Sequence, residues 1–439
     1  MPPMRPSLFP AVRECPECGL LQRVPVPLRG HVAACERCGA VLWRRRSDPT
    51  ERALAMAVAA LVCFLLLVST PLLGINVGGR ERDSMISSYA RGFDQEGMPL
   101  LALLVFGTLI AAPLVRIALT VVVLGGLRRR AARPALLARL ARMRAALGPW
   151  SMPDVFLLGV FVAYTRLDAL APVQLGAGAF ALGGLVLAKV ATEALLDEHA
   201  MWERISAFPP AGTTPTRSSR GCSGHRHPIA CTSCGLIADA AEGSPCPRCG
   251  ATLHRRRPLS TARTWAFLIA AIALYGPANF LPIMTITRYA RVQDYTILGG
   301  VQELLAAKLW PLALLVFAAS ICVPVLKIVG MAVLLLSTHL RARGRLRDRT
   351  RLFRVVEAIG RWSMIDVFMI SILTALVQMG AISTVVPKAG APCFAAVVVL
   401  TMLSASSFDP RLMWDAAAQQ GGAARPSARG ERRPQRRPA

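Results

Sequence analysis

The sequence is poor in acids and in the short motifs of phosphate and hydrolytic chemistry. It holds no GxxxxGKS/T phosphate loop, no HExxH and no GxSxG. Machinery for ATP hydrolysis, zinc peptidase or serine hydrolase chemistry of those types is therefore missing, and no enzymatic activity is expected. If the chain works in transport, its energy comes from a proton gradient, from a partner, or from neither. Asp and Glu number only 25 against 51 Lys and Arg, a net charge of +26 over 439 residues. In a soluble protein that excess would point to nucleic acid. Yet 54% of the residues are hydrophobic and only 17% are charged, and soluble basic proteins are rarely so apolar. A nucleic-acid partner is not expected. The hydrophobicity also excludes disorder for the bulk of the chain. Twelve cysteines over this length are too sparse for a small disulfide-stapled fold. The opening MPPMRPSLFPAVRECPEC lacks an apolar core before its first cysteine pair, so no cleavable signal peptide is expected.

What is present is a series of apolar runs near the length of about 20 residues that crosses a bilayer. Residues 53–75 carry no charge, and 99–127 carry one, Arg116. The region around 155–165, then 173–192, 264–287, 309–337, 365–386 and 391–408 complete eight candidate spans. Cationic segments alternate with them. Seven arginines from Arg128 to Arg144 stand without an acid between the second and third spans, and eight from Arg341 to Arg361 lie between the sixth and seventh. The loop after the first span is slightly acidic, with Glu81, Asp83, Asp94 and Glu96 against Arg80, Arg82 and Arg91. The positive-inside rule then places both termini and the Arg-rich loops in the cytoplasm.

The chain is written twice. GPWSMPDVFLLGVF (148–161) aligns with GRWSMIDVFMISIL (360–373) at an offset of 212. Pro113 pairs with Pro324, Arg116 with Lys327 and Pro71 with Pro282 at 211, and AMWE (200–203) resembles LMWD (412–415). Each half reads as a cysteine module followed by four spans. Four is even, so the repeat is parallel rather than inverted. The expected fold is a polytopic α-helical membrane protein with a tandem repeat of four-cysteine zinc ribbon plus four-helix unit. Its parts would be ribbons at 1–50 and 229–260, helical units at 51–204 and 261–415, a linker at 205–228, and a disordered Arg-rich tail at 416–439.

Eight cysteines form four CxxCG knuckles: Cys15 and Cys18, Cys35 and Cys38, Cys231 and Cys234, Cys246 and Cys249. Two thiolates on a tight turn share one metal, and two knuckles complete a tetrahedron of four thiolates. Reduced cytoplasmic thiols favour metal over disulfide. Structural zinc is the plain interpretation. Rubredoxin-like iron uses the same ligands, and a thioredoxin-type redox pair is a third alternative. Cys222, His225 and His227 are expected in the linker, and Cys63, Cys322 and Cys393 as small core residues of spans.

Ionisable groups at bilayer depth are costly and point to function. Lys327 lies mid-span, with Ser320 seven residues earlier on the same face, while Asp366 opens the seventh span and Thr401 lies in the eighth. Arg116, Asp154 and Lys189 stand at the corresponding first-half positions, with Glu193 one turn beyond Lys189. Such a network could move a polar-headed substrate or a proton; the plainer alternatives are a structural ion pair or a snorkelling lysine. Pro277, Asn279 and Pro282 in GPANFLPIM predict a broken fifth span.

The duplicated knuckles, WSM-x-DVF, PANFLPIM and SSFDPRLMWD (406–415) resemble the paraquat-inducible protein A family and its LetA-like members. The resemblance implies a bacterial inner-membrane protein paired with a membrane-anchored, periplasm-spanning MCE-domain partner. It implies phospholipid transport between the inner and outer membranes, with the metal ligands falling on the eight knuckle cysteines. The first half has STPLLGI where the family string would stand, so the second half is expected to carry substrate. A redox or stress-response protein with cycling cysteines, and a bare anchor for the partner, are the competing functions.

Overall fold

The computed structural model describes residues 11–422, except 26, 29–30, 45–48, 78–79, 130–133, 169–172, 207–227, 289–290, 307, 309, 343 and 377–382. Cys222, His225, His227 and the tail from 423 lie outside the described residues.

Apolar runs become helices because only a helix satisfies its own backbone in hydrocarbon. Seven described helices are long and apolar enough to cross a membrane: Thr50–Ser69, Pro99–Arg129, Pro134–Thr165, Ala177–Leu195, Ala313–His339, Leu346–Leu376 and Gly390–Ser407. Ser260–Phe280 has 21 residues but carries Arg263, Pro277 and Asn279, and is not one of the seven. It packs along Gly390–Ser407 just as its repeat mate, Pro49–Ser69, packs along Ala177–Leu195.

Several expected spans ran too far. The ends of 53–75, 264–287 and 365–386 and the start of 173–192 are strands. Leu73–Val77 pairs with Arg80–Ser84 and Val173–Leu175, and Met284–Arg288 pairs with Arg291–Tyr295 and Ser383–Pro387, all antiparallel. Hydropathy alone does not separate an apolar strand from the end of an apolar helix. Each half therefore carries a three-stranded sheet joining the exits of its first and third helices. The Arg-rich segments are not loops. They form helices Pro134–Ala146 and Leu346–Gly360, each joined to the next helix by a short 3₁₀ turn, Gly148–Trp150 or Arg361–Met364.

Two pairs of repeat-phased prolines have structural roles. Pro113 and Pro324 follow π-helical turns at Gly107–Ala111 and Ala318–Cys322. There the N–H of Ala112 or Val323 reaches back five residues to the carbonyl of Gly107 or Ala318. Proline lacks the donor that regular winding would need, and the wider turn absorbs the loss. Pro71 and Pro282 offer their carbonyls to the N–H groups of Gly178 (2.9 Å) and Gly390 (3.0 Å) at the start of each fourth helix. The expected break at Pro277 is absent: the helix passes through it and ends at Phe280. So near a C-terminus, proline has little helix beyond it to bend.

The halves meet through equivalent helices, Pro153–Asp168 and Ile365–Leu376. Phe156 touches its own repeat mate, Phe368, edge to face with centroids 5.6 Å apart, as a two-fold-like contact requires. The largest apolar core runs across this seam from Phe64 to Phe394. Two smaller expectations also change. Cys63 and Cys393 are half-buried and pack against the main core as expected, whereas Cys322 is exposed. The last helix, Arg411–Gly422, continues into the segment expected to be disordered from 416.

Candidate metal centres and a buried polar cluster

The four knuckles share one geometry. The glycines after each pair, Gly19, Gly39, Gly235 and Gly250, have φ of +70°, +73°, +69° and +69°, a left-handed conformation that favours glycine. Each donates its N–H to the carbonyl of the first cysteine of its knuckle, at 2.8–2.9 Å. Short hairpins, Ala11–Glu14 with Leu21–Val24 and Val32–Ala34 with Val41–Arg44, carry the first two knuckles.

All eight cysteines are buried, and within each set the sulfurs lie within 4.8 Å of one another. Sγ separations are 3.5 Å for Cys15–Cys38 and Cys18–Cys35, 3.5 Å for Cys231–Cys249 and 3.7 Å for Cys234–Cys246. A tetrahedral zinc with Zn–S of about 2.3 Å has edges of about 3.8 Å. The donor sets therefore fit a tetrahedral thiolate metal and leave no open ligand position. Burial pushes the Cys38 thiol up to about 12, so a cation must displace protons to bind and its affinity falls in acid.

Inside the second helical unit lie several buried polar side chains. Lys327 is 1% exposed; its Nζ donates to the carbonyl of Gly360 and to Ser363 Oγ, both at 3.3 Å. Gly360 ends the Arg-rich helix and Ser363 lies in the WSM turn that opens the Ile365–Leu376 helix. Ser320 sits in the π-turn, and with Asp366 it lines a cavity of about 40 Å³ that reaches Tyr295 at the sheet end. Thr401 is buried and bonds its own helix at Val398 (2.9 Å). Asn279 stands next to the end of its helix and donates to the carbonyl of Tyr275 (2.8 Å).

The first unit holds the same positions differently. Lys189 Nζ pairs with Asp154 (2.8 Å) and also donates to the Ser151 carbonyl, while Arg116 pairs with Glu193 (2.8 Å). Two ion pairs thus occupy the place that, in the second unit, Lys327 shares with neutral oxygens.

The model of the family described as "Paraquat-inducible protein A" matches residues 50–206 and 261–418, the two helical repeats. The chain belongs to this family. It is 35% identical over 408 residues to the intermembrane transport protein PqiA of Escherichia coli K12, covering 91% of this chain and 95% of that protein. Lipophilic envelope-spanning tunnel protein A of the same organism is 33% identical over 92% of this chain and 91% of that protein. A probable intermembrane transport protein of Haemophilus influenzae is 28% identical over 92% and 95%. No solved structure matches.

Within this family member, the structure joins the eight cysteines into two sets and brings Ser320 and Asp366 to one cavity. It leaves Asn279 on its own helix. Ser363, which receives Lys327, escaped sequence analysis although it lies within the repeated WSM string. Arg144 escaped too; it is 4% exposed and pairs with Glu198 at 2.6 Å.

Proposed function

We propose that the chain is the inner-membrane component of an intermembrane phospholipid transport system. In this proposal it has eight spans, cytoplasmic termini and a zinc ion in each four-cysteine module. Helical units at 51–204 and 261–415 cross the membrane, and lipid passes to or from a periplasm-spanning MCE-domain partner through the second unit.

The observation that carries this proposal is the unequal treatment of one site in two repeats. A buried lysine whose hydrogen bonds go to neutral oxygens, in the same helical unit as a cavity lined by Ser320 and Asp366, can exchange partners with a polar headgroup or a proton. The ion-paired copy in the first unit is suited to holding helices together. Arginine clusters on the cysteine-module side support the cytoplasmic assignment. Closed, buried four-cysteine sets support a structural metal over cycling thiols, since an inaccessible thiol exchanges slowly.

Lys327→Ala is expected to abolish the envelope barrier against detergent while leaving the amount of protein in the membrane unchanged. Wild-type detergent resistance in that variant would defeat the proposal.

A further inference from the structure

The strings DEHAMWE (197–203) and DPRLMWD (409–415) stand 212 residues apart, one after the last helix of each unit, and no step of the transport proposal uses them. Both open with an aspartate that caps the following helix. Asp197 Oδ1 accepts the backbone N–H of His199 (3.0 Å) and Ala200 (3.1 Å), and Asp409 Oδ1 accepts that of Arg411 (3.1 Å). The tryptophans Trp202 and Trp414 are each 5% exposed. Each shares an apolar cluster with the cysteine module of the other repeat, while DPRLMWD also makes polar contacts to its own repeat's module: Asp415 pairs with Arg256 (2.6 Å) and Asp409 accepts the Arg257 N–H (3.1 Å).

Trp414, after the second unit, packs into the cluster of Cys15, Cys18, Cys35 and Cys38, and the Arg37 guanidinium lies 4.3 Å over its ring. Glu17 of that module receives Arg354 of the second unit through both carboxylate oxygens, at 2.5–2.8 Å, and Arg354 also donates to the Cys38 carbonyl (3.0 Å). Glu14 accepts from Arg411 (3.0 Å). On the other side, Trp202, after the first unit, shares an apolar cluster with Cys231, Cys234, Cys246 and Cys249. Leu137 and Ala141 of the first unit's Arg-rich helix belong to the same cluster.

We propose that the helix after the last span of each repeat is the receptor for the cysteine module of the opposite repeat. The two modules are thus exchanged across the molecule. Each metal site then secures the helical unit that does not follow it in sequence. The proposal does not depend on which unit carries lipid.

Hydrogen–deuterium exchange of the full-length protein in detergent, with metal content measured in parallel, tests this. Cys18→Ser should cost one metal equivalent and raise exchange by roughly tenfold in Leu346–Gly360, while sparing Pro134–Ala146. Cys234→Ser should loosen Pro134–Ala146 and spare Leu346–Gly360. The receptor helices themselves are poorer reporters, because Trp43 of the first module also touches His199, with centroids 4.8 Å apart, and Arg256 of the second pairs with Asp415 at 2.6 Å. If each variant loosens its own repeat, or neither unit responds, the proposal fails. Should the cysteine variants not accumulate, Arg354→Ala serves instead. It should keep both metals yet raise exchange in residues 11–44; unchanged exchange there would overturn the proposal.

Discussion

A lysine buried in an apolar unit is tolerable only if its ammonium is satisfied, and the two repeats satisfy theirs in different ways. Lys189 has a carboxylate at 2.8 Å, whereas Lys327 has a carbonyl and a hydroxyl at 3.3 Å. The shorter, charged contact binds helices together; the longer, neutral ones leave the ammonium freer to change partners. Lys189→Ala is therefore expected to lower thermal stability by about 1–3 kcal/mol, less than a fully buried pair would cost, because Asp154 is 37% exposed. Unfolding midpoints in detergent check this, and an unchanged midpoint would remove the structural role. The cysteines act at this scale too. Purified protein should carry about two metal equivalents, one per four-cysteine set, and lose them on acidification. Thiol protonation competes with the metal, so affinity falls as pH drops. Metal analysis across a pH series checks both points.

Among the elements, the sheet ends of the helices were the least legible in sequence. LGINV and MTITR continue apolar runs that meet no charge until Arg80 and Arg288 respectively, so a window of hydropathy extends the helix through them. The strands form because partners far along the chain, Val173–Leu175 and Ser383–Pro387, complete each sheet. The Arg-rich segments show the opposite error: charge suggested loop, yet neighbouring helices and a cysteine module bury one face of each. Close approach at the fourth helix is testable. A Cβ on Gly390 would lie 2.7 Å from the carbonyl oxygens of Leu281 and Pro282, which backbone cannot easily vacate. Gly390→Ala is expected to destabilise by about 2 kcal/mol. Gly276→Ala meets nothing within 4 Å and should be neutral or stabilising by up to about 1 kcal/mol. Equal thermal shifts for the two variants would refute the packing argument.

For the whole molecule, two seams hold the repeats together. One is the apolar contact of Phe156 with Phe368 within the helical units; the other is the exchanged pair of cysteine modules. The second combines apolar contacts of Trp202 and Trp414 with ion pairs of Glu14 and Glu17 to Arg411 and Arg354. Some of the arginines thus have internal work: Arg354 and Arg411 hold a module, and Arg116 and Arg144 hold acids near the ends of helices. The duplication, the two four-cysteine sets and the apolar helices were all determined by the sequence alone. Each is written in local spacing: a knuckle within five residues, a span within one run, a repeat at a constant offset. Only the tertiary structure decided which module sits on which unit, that Ser363 receives Lys327, and where the helices yield to strands. Those outcomes depend on contacts between segments tens to hundreds of residues apart, whose energies no local pattern records.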